Sequence, residues 1–243
     1  MKVKSVSALK AITREQLLGN YGKLGGYVML YLMLQFSVAQ VLMMISMQSI
    51  MIQLIVNLIQ VVFSNIFVVG MYRVCMLTIR GEALSLGEFF YAFRHDPDKV
   101  VIVSAVMWLM TTLVTLPFLI PGKASGSDGI GNGAMILIKC VLLCAALICY
   151  IYVSILIALW IMLYLDRPEY TAGEILMTSV RVMRNHKLRY FYLLFNQLGF
   201  WCLIVLTATI GAFWLMPFIC VLNINFYEDV KGETDGYHIE AEG

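Results

Sequence analysis

The chain has 243 residues, 61% hydrophobic and 13% charged, with a formal net charge of +2. Soluble domains carry about 25% charged residues, so this composition excludes an ordinary soluble fold. No basic patch interleaved with aromatics points to nucleic acid, and no connecting segment is large enough for a separate soluble domain. The expectation is an all-α, polytopic transmembrane bundle: one membrane domain over residues 1–230, then an acidic, mobile tail over 231–243.

Residues 5–19 predict a short interfacial helix, in which Val6, Leu9, Ile12 and Leu17 are interrupted by Lys10 and Arg14. No signal peptide is expected, because the apolar run begins only at Leu24 and far outruns a signal h-region. Residues 24–72 contain no Asp, Glu, Lys, Arg or His. One crossing takes roughly 20 apolar helical residues, so a first hairpin over about 24–80 is predicted, turning near Ser46-Met47-Gln48-Ser49. Arg73 lies close enough to the interface to snorkel. The second crossing carries Gln53, Asn57, Gln60 and Ser64, which at about 100° per residue share roughly a 60° arc. This stripe reads either as glue between helices, with Gln35, Gln40, Asn196 and Gln197 as partners, or as the polar wall of a cavity.

Ser85 with Glu88 three residues later has the form of a capping box. Leu86, Phe89, Phe90 and Phe93 follow at helical spacing, predicting a second interfacial helix over about 85–95, broken by Pro97. A second hairpin is expected over about 100–165. Its first crossing starts at Val100 and is closed by Pro117 and Pro121; a Gly/Ser-rich flexible loop covers 122–133, and the fourth crossing falls within 134–165. Thr171 and Glu174 repeat the cap pattern. They predict a third interfacial helix over about 171–186, with Leu176, Val180 and Met183 on its apolar face and Glu174, Arg181 and Arg184 opposite. Residues 190–227 are again uncharged and predict a third hairpin turning at 207–211, with Pro217 kinking a short sixth crossing.

The chain thus reads as three copies of one unit: an interfacial helix, a lysine (Lys23, Lys99, Lys187) and a helical hairpin. Connecting segments in any even-numbered bundle also look alike, so both readings stand. Fifteen of the 17 Lys and Arg residues fall on one side of this arrangement, leaving Lys123 and Lys139 on the other. The positive-inside rule then predicts six crossings with both termini cytoplasmic.

Several stretches resemble a known family. They are Pro168 to Glu174, Met183 to Phe191, the ending Ile210 to Phe218 with Asn225-Phe226-Tyr227-Glu228-Asp229, the start Leu17 to Lys23, and Ile120-Pro121-Gly122. Together they look like the bacterial membrane-protein family catalogued as "domain of unknown function 975". One departure is the Gly/Ser-rich insertion after Pro121-Gly122. The resemblance implies a bacterial plasma membrane and a multi-helix bundle, and supplies no activity and no catalytic residues. The family is similar in general plan to membrane domains attached to some glycerophosphodiester phosphodiesterases, which hints at lipids by analogy.

No Asp or Glu lies within a proposed crossing, and no His pair, nucleophile elbow or phosphate loop is present. Neither an enzyme nor a cofactor is expected, nor a metal. The six cysteines read as small buried hydrophobes. Glu228 and Asp229 read as a solvated exit from the membrane. Two function classes remain. One is a lipid-binding or partner-binding accessory protein, its basic residues meeting anionic headgroups at the cytoplasmic face. The other is a membrane subunit of a transporter or channel with an amide-lined cavity.

Overall fold

The computed structural model describes the backbone of residues 4–45, 49–119, 129–207 and 209–241, and most of their side chains. Among them the fold is all-helical. Helix α1 (Val6–Leu17) starts where the Ser5 hydroxyl accepts the Ala8 N–H, and it buries Val6, Leu9, Thr13 and Leu17. These recur every three or four residues, which makes one face. That face lies on the last helix, α10 (Ala212–Ala241). Lys4 N–H reaches Asp229, while Thr13 and Gln16 accept from the Asn225 amide.

Helices α2 (Tyr21–Ile45) and α3 (Ile50–Arg80) form the first hairpin. Ile45 and the N-cap Ser49 bracket the expected turn; residues 46–48 lie outside the described residues. α3 is the hub. It packs against α2, α4 (Leu86–Phe89), α5 (Tyr91–Arg94), α6 (Pro97–Leu119), α8 (Trp160–Asp166) and α10. Its C-terminus turns out through Gly81 at φ 71°, where a residue without Cβ sits at no steric cost. The N–H groups of Gly81 and Glu82 close the last turn onto Leu77 and Thr78.

The second capped helix differs from expectation. It is two short helices, α4 and α5, joined at Phe90, and Ser85 makes no side-chain cap bond. Glu88 instead accepts from Arg73 Nε at 3.0 Å, and the Arg73 guanidinium lies 4.6 Å over the Tyr91 ring. A charge-assisted bond outweighs a neutral cap, so the Glu88 carboxylate goes to Arg73 and not to the helix start. Phe89 is 1% exposed, between the rings of Tyr27 and Phe67. The phenylalanine face is thus partly spent on the protein's own core, although Leu86 and Phe93 stay exposed.

α6 begins at Pro97, whose missing N–H costs nothing in a first turn, and it continues past Pro117 to Leu119. Pro121 and most of the expected 122–133 loop lie outside the described residues, but helix α7 (Gly129–Leu156) already includes residues 129–133. The fourth crossing is not one helix. α7 stops at Leu156, and α8 restarts at Trp160 with residues 160–165 all buried. Ser179 Oγ donates to the Leu156 carbonyl at 2.9 Å, satisfying an acceptor freed by the break.

The third interfacial helix and the fifth crossing are one continuous element, α9 (Ala172–Leu206). Its capping box is formed: Thr171 Oγ1 accepts from Glu174 N–H, and the Glu174 carboxylate accepts from Thr171 N–H at 2.8 Å. Met183 is buried, Leu176 and Val180 half-buried, and Glu174, Arg181 and Arg184 exposed, as expected. The turn between α9 and α10 falls within 207–211. α10 runs through Pro217 and on to Ala241, so residues 231–241 continue a helix.

Among the described residues, five helical stretches are long and apolar enough to cross a membrane: Tyr21–Ile45, Met51–Arg80, Pro97–Thr115, Leu137–Asp166 (α7 and α8 taken together) and Ala172–Leu206. α10, the expected sixth, falls outside that set; its apolar part packs centrally, with Phe218 to Leu222 and Phe226 buried. Cys75 and Cys220 are buried, whereas Cys140, Cys144, Cys149 and Cys202 are exposed. The core is built largely from α1, α8, the C-terminal half of α3 and residues 218–230 of α10.

A candidate groove at the basic end

The Lys- and Arg-rich connections converge at one end. Lys99 Nζ donates to Asp96 and to the Pro168 carbonyl, both at 2.7 Å. Asp166 accepts from Lys231 at 2.7 Å and from the Tyr227 hydroxyl at 3.0 Å, with Arg80 4.0 Å away. Arg189 pairs with Asp229 and donates to the Lys4 carbonyl. Asp229 is thus a half of an internal ion pair and not simply a solvated exit. These ion pairs tie α8 to α3 and α10, and α9 to α10, while the bonds to the Lys4 and Pro168 carbonyls fix the chain before α1 and between α8 and α9.

Of the three unit lysines, two are held by the protein. Lys99 is bonded as above, and Lys187 donates to the Tyr152 hydroxyl at 2.9 Å. Lys23 is exposed and makes no hydrogen bond or ion pair among the described residues. It lines a groove of about 630 Å³ with Asn20, Tyr27, Thr78, Gly81, Glu82, Ala83 and Leu84. That volume is in the range of small-molecule sites, about 300–1,000 Å³. The floor comes from the first turns of α2 and the last turn of α3, and the lip from the chain that Gly81 turns outward. Tyr27 is fixed by stacking on Phe89, with ring centroids 6.2 Å apart. The Thr78 hydroxyl is spent on the Val74 carbonyl at 2.8 Å, and the Asn20 amide nitrogen on Gln16 at 3.3 Å. Glu82, like Lys23, is exposed and unpaired among the described residues. The groove therefore presents one free cation, one free carboxylate and an apolar wall of Tyr27 and Leu84.

The amide stripe divides. Gln53 and Asn57 are exposed, and Gln60 and Ser64 half-buried. Ser64 accepts from Gln35 Nε2 at 2.7 Å. The amide oxygens of Gln35 and Gln60 are buried without a partner among the described residues. Of the other expected partners, Gln40 is exposed, Asn196 accepts from Lys10, and Gln197 is bonded to Asn223, which in turn donates to the Tyr72 hydroxyl. Next to the stripe, Asn65 donates to Ser104 at 3.0 Å. No group of three or more His, Cys, Asp or Glu that would hold a metal occurs among the described residues.

A family model described as "Protein of unknown function (DUF975)" matches residues 1–234. The chain belongs to this family. No curated protein and no solved structure matches it. Membership of DUF975 spans the groove, the amide stripe and every helix junction above, and the family brings no activity with it.

Proposed function

We propose that this chain is a non-enzymatic, lipid-binding protein of the bacterial plasma membrane, with its basic end and both termini in the cytoplasm, and that the groove beside Lys23 receives a phospholipid headgroup. The observation that carries the reading is Lys23 itself, the one unit lysine left unpaired among the described residues, in a groove with an apolar wall. A lysine at the membrane surface is worth about 1 kcal/mol towards anionic lipid. An ammonium facing a phosphate inside a shaped groove adds directional hydrogen bonds to that attraction. The test is native mass spectrometry of the chain purified in mild detergent. One phospholipid retained per chain, and its loss in Lys23→Gln, is the expected result. No retained lipid, or equal retention in Lys23→Gln, refutes the reading.

A second reading, a transporter or channel subunit with an amide-lined cavity, is favoured by the exposed Gln53 and Asn57 and by the partnerless oxygens of Gln35 and Gln60. Labelling of Asn57→Cys by a membrane-impermeant thiol reagent, in a background without native cysteines, is what that reading requires.

A further inference from the structure

We infer that the groove selects a zwitterionic phospholipid carrying a primary ammonium beyond its phosphate, with the phosphate on Lys23 and the ammonium on Glu82. The inference rests on the lipid-binding reading and deepens it. Lys23 and Glu82 line one groove, yet neither pairs with the other or with any described residue. Opposite charges that share a site without pairing present a donor and an acceptor with space between them, which is the pattern of a headgroup with two opposite poles. The other polar side chains in the lining are committed: Thr78 to Val74, and the Asn20 nitrogen to Gln16. The Asn20 amide oxygen remains as a second acceptor for an ammonium. A headgroup that is only anionic would satisfy Lys23 and set its charge against Glu82, and like charges in one site cost affinity. A trimethylammonium keeps the positive charge but has no N–H to donate.

Glu82 follows α3, and only its backbone N–H takes part in closing the helix, onto Leu77 at 3.0 Å. Glu82→Gln therefore removes the charge without touching the fold. Delipidated full-length protein is equilibrated in detergent with equal amounts of phosphatidylethanolamine, phosphatidylglycerol and phosphatidylcholine of the same acyl chains, and bound lipid is counted by native mass spectrometry. Wild type is expected to hold the ethanolamine lipid about five- to tenfold over either competitor, the scale of one hydrogen bond to a charged group after surface screening. Glu82→Gln should bring that preference to near unity. Lys23→Gln should lose all three lipids. If wild type holds phosphatidylglycerol as well, or the preference survives Glu82→Gln, the headgroup assignment falls and lipid binding stands. If Lys23→Gln keeps its lipid, both fall.

Discussion

Gly70 on α3 lies directly under the backbone of α4. A Cβ at this position would sit 1.9 Å from the Phe89 carbonyl oxygen and 2.9 Å from its carbonyl carbon, against an ordinary contact of 3.4 Å or more. Backbone has no rotamer with which to escape, so Gly70→Ala must drive α4 away by about 1.5 Å, the overpacking case that costs about 1–3 kcal/mol. The retreat also pulls Phe89 from between Tyr27 and Phe67, whose ring centroids lie 6.2 and 6.3 Å from its own. Each such pair is worth about 0.5–1.5 kcal/mol, which places the total near 3 kcal/mol. Two neighbouring glycines supply the controls. At Gly25 the three atoms nearest an added Cβ are ring atoms of Phe213, the first at 2.1 Å, and the ring is the far end of a side chain that can swing; about 1 kcal/mol is expected. At Gly26 nothing lies within 4 Å, so alanine should be neutral or stabilise by up to about 1 kcal/mol through helix propensity. Thermal unfolding in detergent should therefore rank Gly70→Ala well below Gly25→Ala, and Gly25→Ala below Gly26→Ala. A Gly70→Ala protein as stable as wild type would refute the packing of α4 against α3.

The remaining predictions concern caps, a buried amide chain and topology. Thr171→Ala removes a formed capping box and should cost about 1 kcal/mol, whereas Ser85→Ala, which loses no side-chain cap bond, should stay within about 0.5 kcal/mol; paired unfolding curves separate the two. Asn223→Leu strands the Gln197 amide, 2% exposed, and the Tyr72 hydroxyl. It should cost about 1–3 kcal/mol, and a loss under 0.5 kcal/mol in the same unfolding curves would contradict that bond chain. Reporter fusions at residue 127 and after residue 230 should report opposite sides, with the second cytoplasmic.

The parts of the fold legible in the sequence were those with local chemistry. Ser49, Thr171 and the 207–211 turn end or start helices where their side chains or turn residues sit. The parts that were not legible depend on distant groups. Nothing in Ile157-Ala158-Leu159 marks a helix break; the compensating donor, Ser179, lies on another helix. The cluster Arg184 to Arg189 looks like a boundary because it is charged, but Arg, Asn, His and Lys are all compatible with helix, so α9 runs through it. Ser85 and Glu88 have the right spacing for a cap, and only the proximity of Arg73 diverts the carboxylate. Asp166 and Lys231 meet across α8 and α10, and α10 runs on through the expected tail. The amide stripe was visible as a pattern, yet only Ser64 found an expected partner, in Gln35. The groove joins residues 20–27 to residues 78–84, and Lys23 was its one member singled out by sequence, as a unit lysine.

Lipid in the Lys23 groove is most directly tested by a photo-crosslinking amino acid placed at Leu84, on the groove lip, in otherwise unaltered protein in native membranes. The account predicts that irradiation yields a phospholipid adduct at this position, that the adduct disappears when Lys23→Gln is added, and that a probe at exposed Leu18 gives an adduct insensitive to Lys23. An adduct at Leu84 of equal yield with and without Lys23, or none at all, would contradict it.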